Sequence, residues 1–229
     1  VIAPLASLLA QHPGEQTAKL LPEDTEIYFS ANLRPGASQL AQFWGVFDNW
    51  WQDPTVQEEW QQAMDELESE TDIDIEQDIL PYLGPELAMG MRNVTAEQTE
   101  MIVLIGNTYF DGSYEFLEFL CEKANIPAPQ ITQQYDGIDV TYDPGNETYL
   151  AYPEGYIIYS NSQTLLQECL DLYLGDTPES QSLWATDNFG EARAKLPSER
   201  VFMFYCNIRG MLEDVFGGWP PPEQYNITI

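Results

Sequence analysis

The side chains best spaced to do chemistry are acids at alternating positions. Asp72, Asp74, Glu76 and Asp78 stand two residues apart. Hard oxygen ligands in such a row can surround Ca²⁺. The stretch lacks the central glycine of an EF-hand loop and the bidentate glutamate that closes one. Asp74 is also a good helix N-cap, and Glu76 and Asp78 then fall in the positive first turn. Capping is the reading the geometry favours, and calcium is the metal these four residues would take.

Other chemistry has less to draw on. His12 is the one histidine, so a Ser-His-Asp or Cys-His arrangement would have to use it. The chain contains no GxSxG, HExxH or Gly-rich phosphate loop. A carboxylate-based hydrolase needs two acids across a cleft, and with 38 acids in the chain no particular pair stands out. Cys121, Cys169 and Cys206 form no CxxC pair, which leaves a Cys/His zinc site without ligands. They read as small buried apolar residues. Trp44, Trp50, Trp51, Trp60, Trp184 and Trp219 could stack sugars, but helical spacing assigns Trp44, Trp51 and Trp60 to packing, and packing is the general expectation.

The 229 residues carry 38 acids and 8 bases, a formal charge of −30, with 44% hydrophobic and 13% aromatic content. That hydrophobicity excludes wholesale disorder. The charge disfavours nucleic acid and anionic headgroups, which are held by Lys and Arg. It favours a cationic partner, divalent metals or a salty medium. Positions 53–78 hold 11 of the acids and no Lys or Arg, a solvated helix face on which such a partner could dock. No apolar run approaches the roughly 18–20 residues that span a bilayer. The chain begins at Val1, and a removed upstream segment, such as a signal or anchor, is expected.

Periodicity supplies the elements that must position these residues. Strands are predicted over 25–31, 86–92 and 100–108. Helices are predicted over 37–51, from Pro54 along the seam Val56, Trp60, Met64 and Leu67, over 74–83 and over 111–125. Four short runs at 131–135, 138–142, 147–152 and 156–160 are separated by Asp136-Gly137, Pro144-Gly145-Asn146 and Pro153-Glu154-Gly155, which indicates an antiparallel meander. A helix over 162–174 is capped by Ser162 and stopped by Gly175. A helical pattern reaches Lys195, and a strand follows at 201–206.

One internal similarity organises the whole. LPEDTEIYFSANLR from Leu21 and LPSERVFMFYCNIR from Leu196 align without gaps at an offset of 175 residues. Leu-Pro, Phe29/Phe204, Asn32/Asn207 and Arg34/Arg209 are identical. The expected organisation is a helical lead-in over 1–20, a full α+β unit over 21–195 and the start of a second unit, or a C-terminal completion, over 196–229. The fold class is α+β, an antiparallel meander sheet packed with amphipathic helices.

From Asp74 to Met91 the chain reads DIEQDILPYLGPELAMGM. This resembles a bacterial envelope family known as domain of unknown function 3352, whose members show an acidic-apolar segment leading to Leu-Pro-Trp-Leu-Gly. Tyr82 stands where Trp is commoner. Leu21-Pro22 with Asn32-Leu33, and the step Tyr156-Ile157-Ile158-Tyr159-Ser160-Asn161-Ser162, resemble the family as well. The resemblance implies a secreted or membrane-anchored protein and brings no activity with it. In the motif itself Pro81 limits a helix, Gly84 can take positive φ, and Pro85 bars continuation. The resulting expectation is a non-enzymatic extracytoplasmic binding or scaffold module. The alternatives are an acidic calcium-responsive domain and a carboxylate-based hydrolase.

Overall fold

A computed structural model of the chain describes residues 16–33, 73–95, 98–109, 112–197 and 200–208, with seven positions between Pro54 and Thr71. Of Ile75 and Glu76 only the backbone is described. His12, Trp44, Trp50, Trp51, Trp60, Trp219, Asp72, the helix expected over 37–51 and the seam from Val56 to Leu67 lie outside the described residues. Pro54, Thr55, Glu58, Gln62, Asp65 and Ser69 are helical and exposed. From Thr55 onward their three- and four-residue spacing marks the polar side of the second expected helix.

Eight strands form one antiparallel sheet: β1 (Ile27–Asn32), β2 (Leu83–Arg92), β3 (Glu100–Asn107), β4 (Gln133–Tyr135), β5 (Ile138–Asp143), β6 (Thr148–Ala151), β7 (Tyr156–Ser160) and β8 (Phe202–Cys206). Their spatial order is β4-β5-β6-β7-β3-β2-β1-β8. The meander β4 to β7 forms because each turn has the residues it demands. Asp136 (φ 43°) and Gly137 (φ 87°) both sit in the left-handed region, as a two-residue hairpin loop requires. Asp143 Oδ1 accepts the Gly145 amide at 2.8 Å to hold the next turn.

Helices cover both faces. On one face, α2 (Gln163–Leu174) buries Leu165, Leu166, Cys169 and Leu170 in a core with Tyr28, Ile102, Leu104 and Ile158. The Ser162 hydroxyl accepts the Leu165 amide at 3.3 Å, and Gly175 closes the helix at φ 83°, so both predicted ends are found. The short α3 (Asp187–Ala194) adds Phe189 to this core, edge-on to Tyr28 at 5.6 Å and Tyr205 at 5.2 Å. On the other face, α1 (Ser113–Lys123) carries Phe116 onto Tyr152 and Ile157. Ile157 and Ile158 are neighbours in β7 and belong to different clusters, because successive strand residues point to opposite faces.

Two expectations change at the Pro81–Pro85 motif. The helix expected over 74–83 is a single π-helical turn, Ile75–Ile79, and β2 already begins at Leu83. Gly84 is not a left-handed residue. It is a strand glycine at the irregularity between Leu83 and Leu87, where an added Cβ would come within 2.6 Å of the Gly106 carbonyl carbon. Close backbone approach, not turn conformation, requires the glycine. Tyr82 does pin the turn, packing on Tyr109, Phe116 and Phe119.

The two similar segments are adjacent in space. β1 and β8 pair antiparallel with Phe29 opposite Phe204, so residues 21–195 and the segment that follows share one sheet. Cys121 and Cys169 are buried thiols outside any disulfide, and Cys206 is half-buried. No described helix is long and apolar enough to cross a membrane.

Replacing Gly84 by alanine forces two strands apart. Urea unfolding is expected to show a loss of about 1–3 kcal/mol, with Gly145→Ala in the exposed turn as a milder reference.

Candidate functional site

Of the acidic row, the side chains of Asp74 and Asp78 are described, and both are engaged in hydrogen bonds. Asp74 caps the π-turn through Oδ1, which accepts the Gln77 amide at 3.1 Å, while its own amide donates to Asp78 Oδ2 at 3.0 Å. Asp78 is buried and not in a solvated first turn, and Lys123 Nζ from α1 reaches its Oδ1 at 2.5 Å. The Lys123 bond, then the Asp74 amide, hold the Asp78 carboxyl below the usual aspartate range. A lysine thus occupies one oxygen that the calcium reading needs. Among the described residues no three His, Cys, Asp or Glu side chains are grouped to hold a metal ion.

A second cluster was not anticipated. Arg92, at the end of β2, is only 8% exposed in its side chain and meets three carboxylates. Nε donates to Glu100 Oε2 at 2.5 Å, and Nη1 donates to Asp24 Oδ2 at 3.0 Å and to Glu168 Oε2. Asp24 lies before β1, Glu100 opens β3 and Glu168 sits on α2, so one guanidinium joins three parts of the fold. A fork of five donors suits this role as an ammonium does not.

The third group lies at the other end of β2. Glu86 is buried, 5% exposed. Its Oε1 accepts the Thr17 hydroxyl at 2.6 Å, and the Tyr28 hydroxyl lies 2.7 Å from Thr17 Oγ1 and 3.4 Å from Glu86 Oε1. Burial, then the Glu86 charge, push the Tyr28 and Tyr156 hydroxyls well above the ordinary tyrosine range, so both stay protonated donors. Beside this group opens a cleft of about 290 Å³ lined by Gln16, Lys19, Leu20, Tyr156, Leu172, Tyr173 and Glu179. Gln16 Nε2 is buried without a hydrogen-bond partner. Lys19 Nζ lies 3.3 Å from Glu179 and reaches the Trp184 ring, which Arg193 also meets with its guanidinium carbon 3.3 Å from the centroid. These walls offer amide and phenol donors and aromatic faces.

A family profile described as "Protein of unknown function (DUF3352)" matches residues 4–226. The chain belongs to this family. No curated protein and no solved structure matches it. For a member of DUF3352 the motif around Tyr82 now has a structural role, as the anchor of the turn that launches β2.

Sequence reasoning found Asp74 and Asp78 but missed Arg92, Glu86, Thr17 and Tyr28. A faint signal existed for Arg92, a basic residue ending an apolar strand in a chain with 8 bases. Long-range partners such as Glu168 leave no local pattern.

Arg92→Leu leaves three carboxylates without their cation, and chemical denaturation is expected to show a loss of about 3–5 kcal/mol, with Arg92→Lys intermediate. For Asp78 the folded-state pKa is depressed, so its contribution is complete above the unfolded pKa of about 4 and is lost as pH falls through the folded value. Thermal melts of Asp78→Asn should therefore lie below the parent at pH ~6, and the gap should narrow as the pH falls below the unfolded value of about 4.

Proposed function

We propose that this chain is a non-enzymatic binding or scaffold module that works outside the cytoplasm, as part of a bacterial envelope, held there by an upstream segment. The observation that carries the reading is where the ionisable groups go. Arg92, Lys123 and Lys19 are each bonded to carboxylates, and Glu86 is sealed by Thr17 and Tyr28. These charges join elements to one another, and among the described residues they set no nucleophile against a base. What faces outward is largely acid, including exposed Glu58 and Asp65 on the helical stretch. A net charge of −30 attracts a cationic protein partner over a distance set by salt. The likeness to secreted or anchored proteins supports the compartment.

The test is affinity capture. The immobilised chain is exposed to envelope extract at about 50 mM and about 500 mM salt. A defined basic protein should be retained at low salt and lost at high salt, and Glu58→Lys with Asp65→Lys should weaken retention. Equal retention at both salts, or no retained protein, would remove this reading.

A further inference from the structure

At the β4 end of the sheet a cleft of about 100 Å³ opens between α2 and the first two strands of the meander. Its floor is apolar, made by Val140 of β5 and by Leu166 and Leu170 of α2. Its walls are amides. Gln133 stands on β4, and Gln163 and Gln167 stand on the first turns of α2. Gln133 and Gln163 are exposed and Gln167 is half-buried. The acids bonded to this lining are already committed. Asp139 accepts Gln134 Nε2 at 2.7 Å, and Asp171 accepts the Tyr135 hydroxyl at 2.5 Å. In a chain of formal charge −30 the cleft is lined by uncharged side chains.

An aromatic pair stands beside it. Tyr142 lies two residues beyond Val140 on β5, and therefore on the same face. It is opposite Tyr149 of β6, and the two rings stack with centroids 4.7 Å apart. Tyr149 packs against the core that α2 covers, so the pair is on the cleft's side of the sheet.

The dimensions and the chemistry select an occupant. A volume of about 100 Å³ holds roughly three waters at their liquid density, which is too little for a sugar ring and enough for one acetamido group. A glutamine amide has two N–H donors and an acceptor oxygen. It donates to an acetamido carbonyl and accepts from the acetamido N–H, while the methyl group meets Val140 and the two leucines. Convergent polar groups over an apolar floor are the usual construction of a small-molecule site. The tyrosine pair offers an apolar flank for the C–H face of a pyranose ring. A peptide added as a strand gains less here. The bonds from Thr132 N to Val140 O and from Tyr152 N to Asp139 O set the alternation, which turns one β4 backbone, that of Gln134, outward.

We propose that this cleft binds a neutral acetamido sugar, with the acetamido group among Gln133, Gln163 and Gln167 and the ring against Tyr142 and Tyr149. The site is separate from the acidic surface that attracts a basic protein, so either reading can fail alone.

The test titrates N,N′-diacetylchitobiose into the isotope-labelled chain and follows the glutamine side-chain amides by NMR. Saturable shifts at Gln133, Gln163 and Gln167 are expected, with a Kd of about 1 mM or tighter. The affinity should be the same at about 50 mM and about 500 mM salt. Cellobiose, which lacks acetamido groups, should bind about tenfold more weakly or worse. Gln133→Ala combined with Gln163→Ala should weaken the disaccharide by about tenfold with an unchanged circular dichroism spectrum. No saturable shift up to about 10 mM, shifts confined to other residues, or equal binding of cellobiose overturns the proposal. So does tighter binding of N-acetylalanine methylamide than of the disaccharide, because the occupant would then be a peptide. The titration uses the parent chain, so it decides the matter even if the double variant fails to fold.

Discussion

The fold is organised around one buried cation. Arg92 ends β2 in the middle of the sheet and gathers Asp24, Glu100 and Glu168 from three separate stretches of chain. Taking a guanidinium out of water is costly, and the cost is offset only when nearly every N–H finds an acceptor. Three carboxylates on Nε and Nη1 offset that cost and align the lead-in to β1, the β2–β3 hairpin and α2 relative to one another. Once these are aligned, Glu86 at the opposite end of β2 falls beneath Thr17 and Tyr28, and the cleft beside Tyr156 has its walls. A neutral residue at position 92 would leave three acids crowded together with no charge to balance them.

The same economy of cations recurs elsewhere. Lys123 bonds Asp78 and lies over the Phe119 ring, while Lys19 and Arg193 meet Trp184. With 38 acids against 8 bases, the surface is dominated by acid. Long-range repulsion between copies of this chain is then strong in dilute buffer and falls off within a Debye length in salt.

Local signals in the sequence were enough for the meander, because Asp136-Gly137 and Gly155 specify backbone conformations that few residues can adopt. They were also enough for α2, whose Ser162 and Gly175 mark both ends. They failed at Gly84, since a glycine in a turn and a glycine pressed against its neighbouring strand look alike until the partner, Gly106, is known. They failed for α3 too, where the pattern expected to run to Lys195 breaks into short turns before Asp187. The candidate site was the least legible part. Asp74 was recognisable as a cap from its neighbours, but the partners of Glu86 and Arg92 come from up to 76 residues away. Nothing in periodicity brings Thr17 to Glu86.

Cys169 gives the core a clock of its own. The thiol is wholly enclosed beneath α2, among Leu165, Leu166 and Leu170, and burial pushes it up to about 12. Reagents attack the thiolate, and in the closed molecule almost none exists and nothing can reach it. Modification of Cys169 therefore waits on α2 lifting from the sheet, so its pace counts openings of the core as they happen. A chain that carries this thiol through an oxidising medium registers how often its own interior has been exposed.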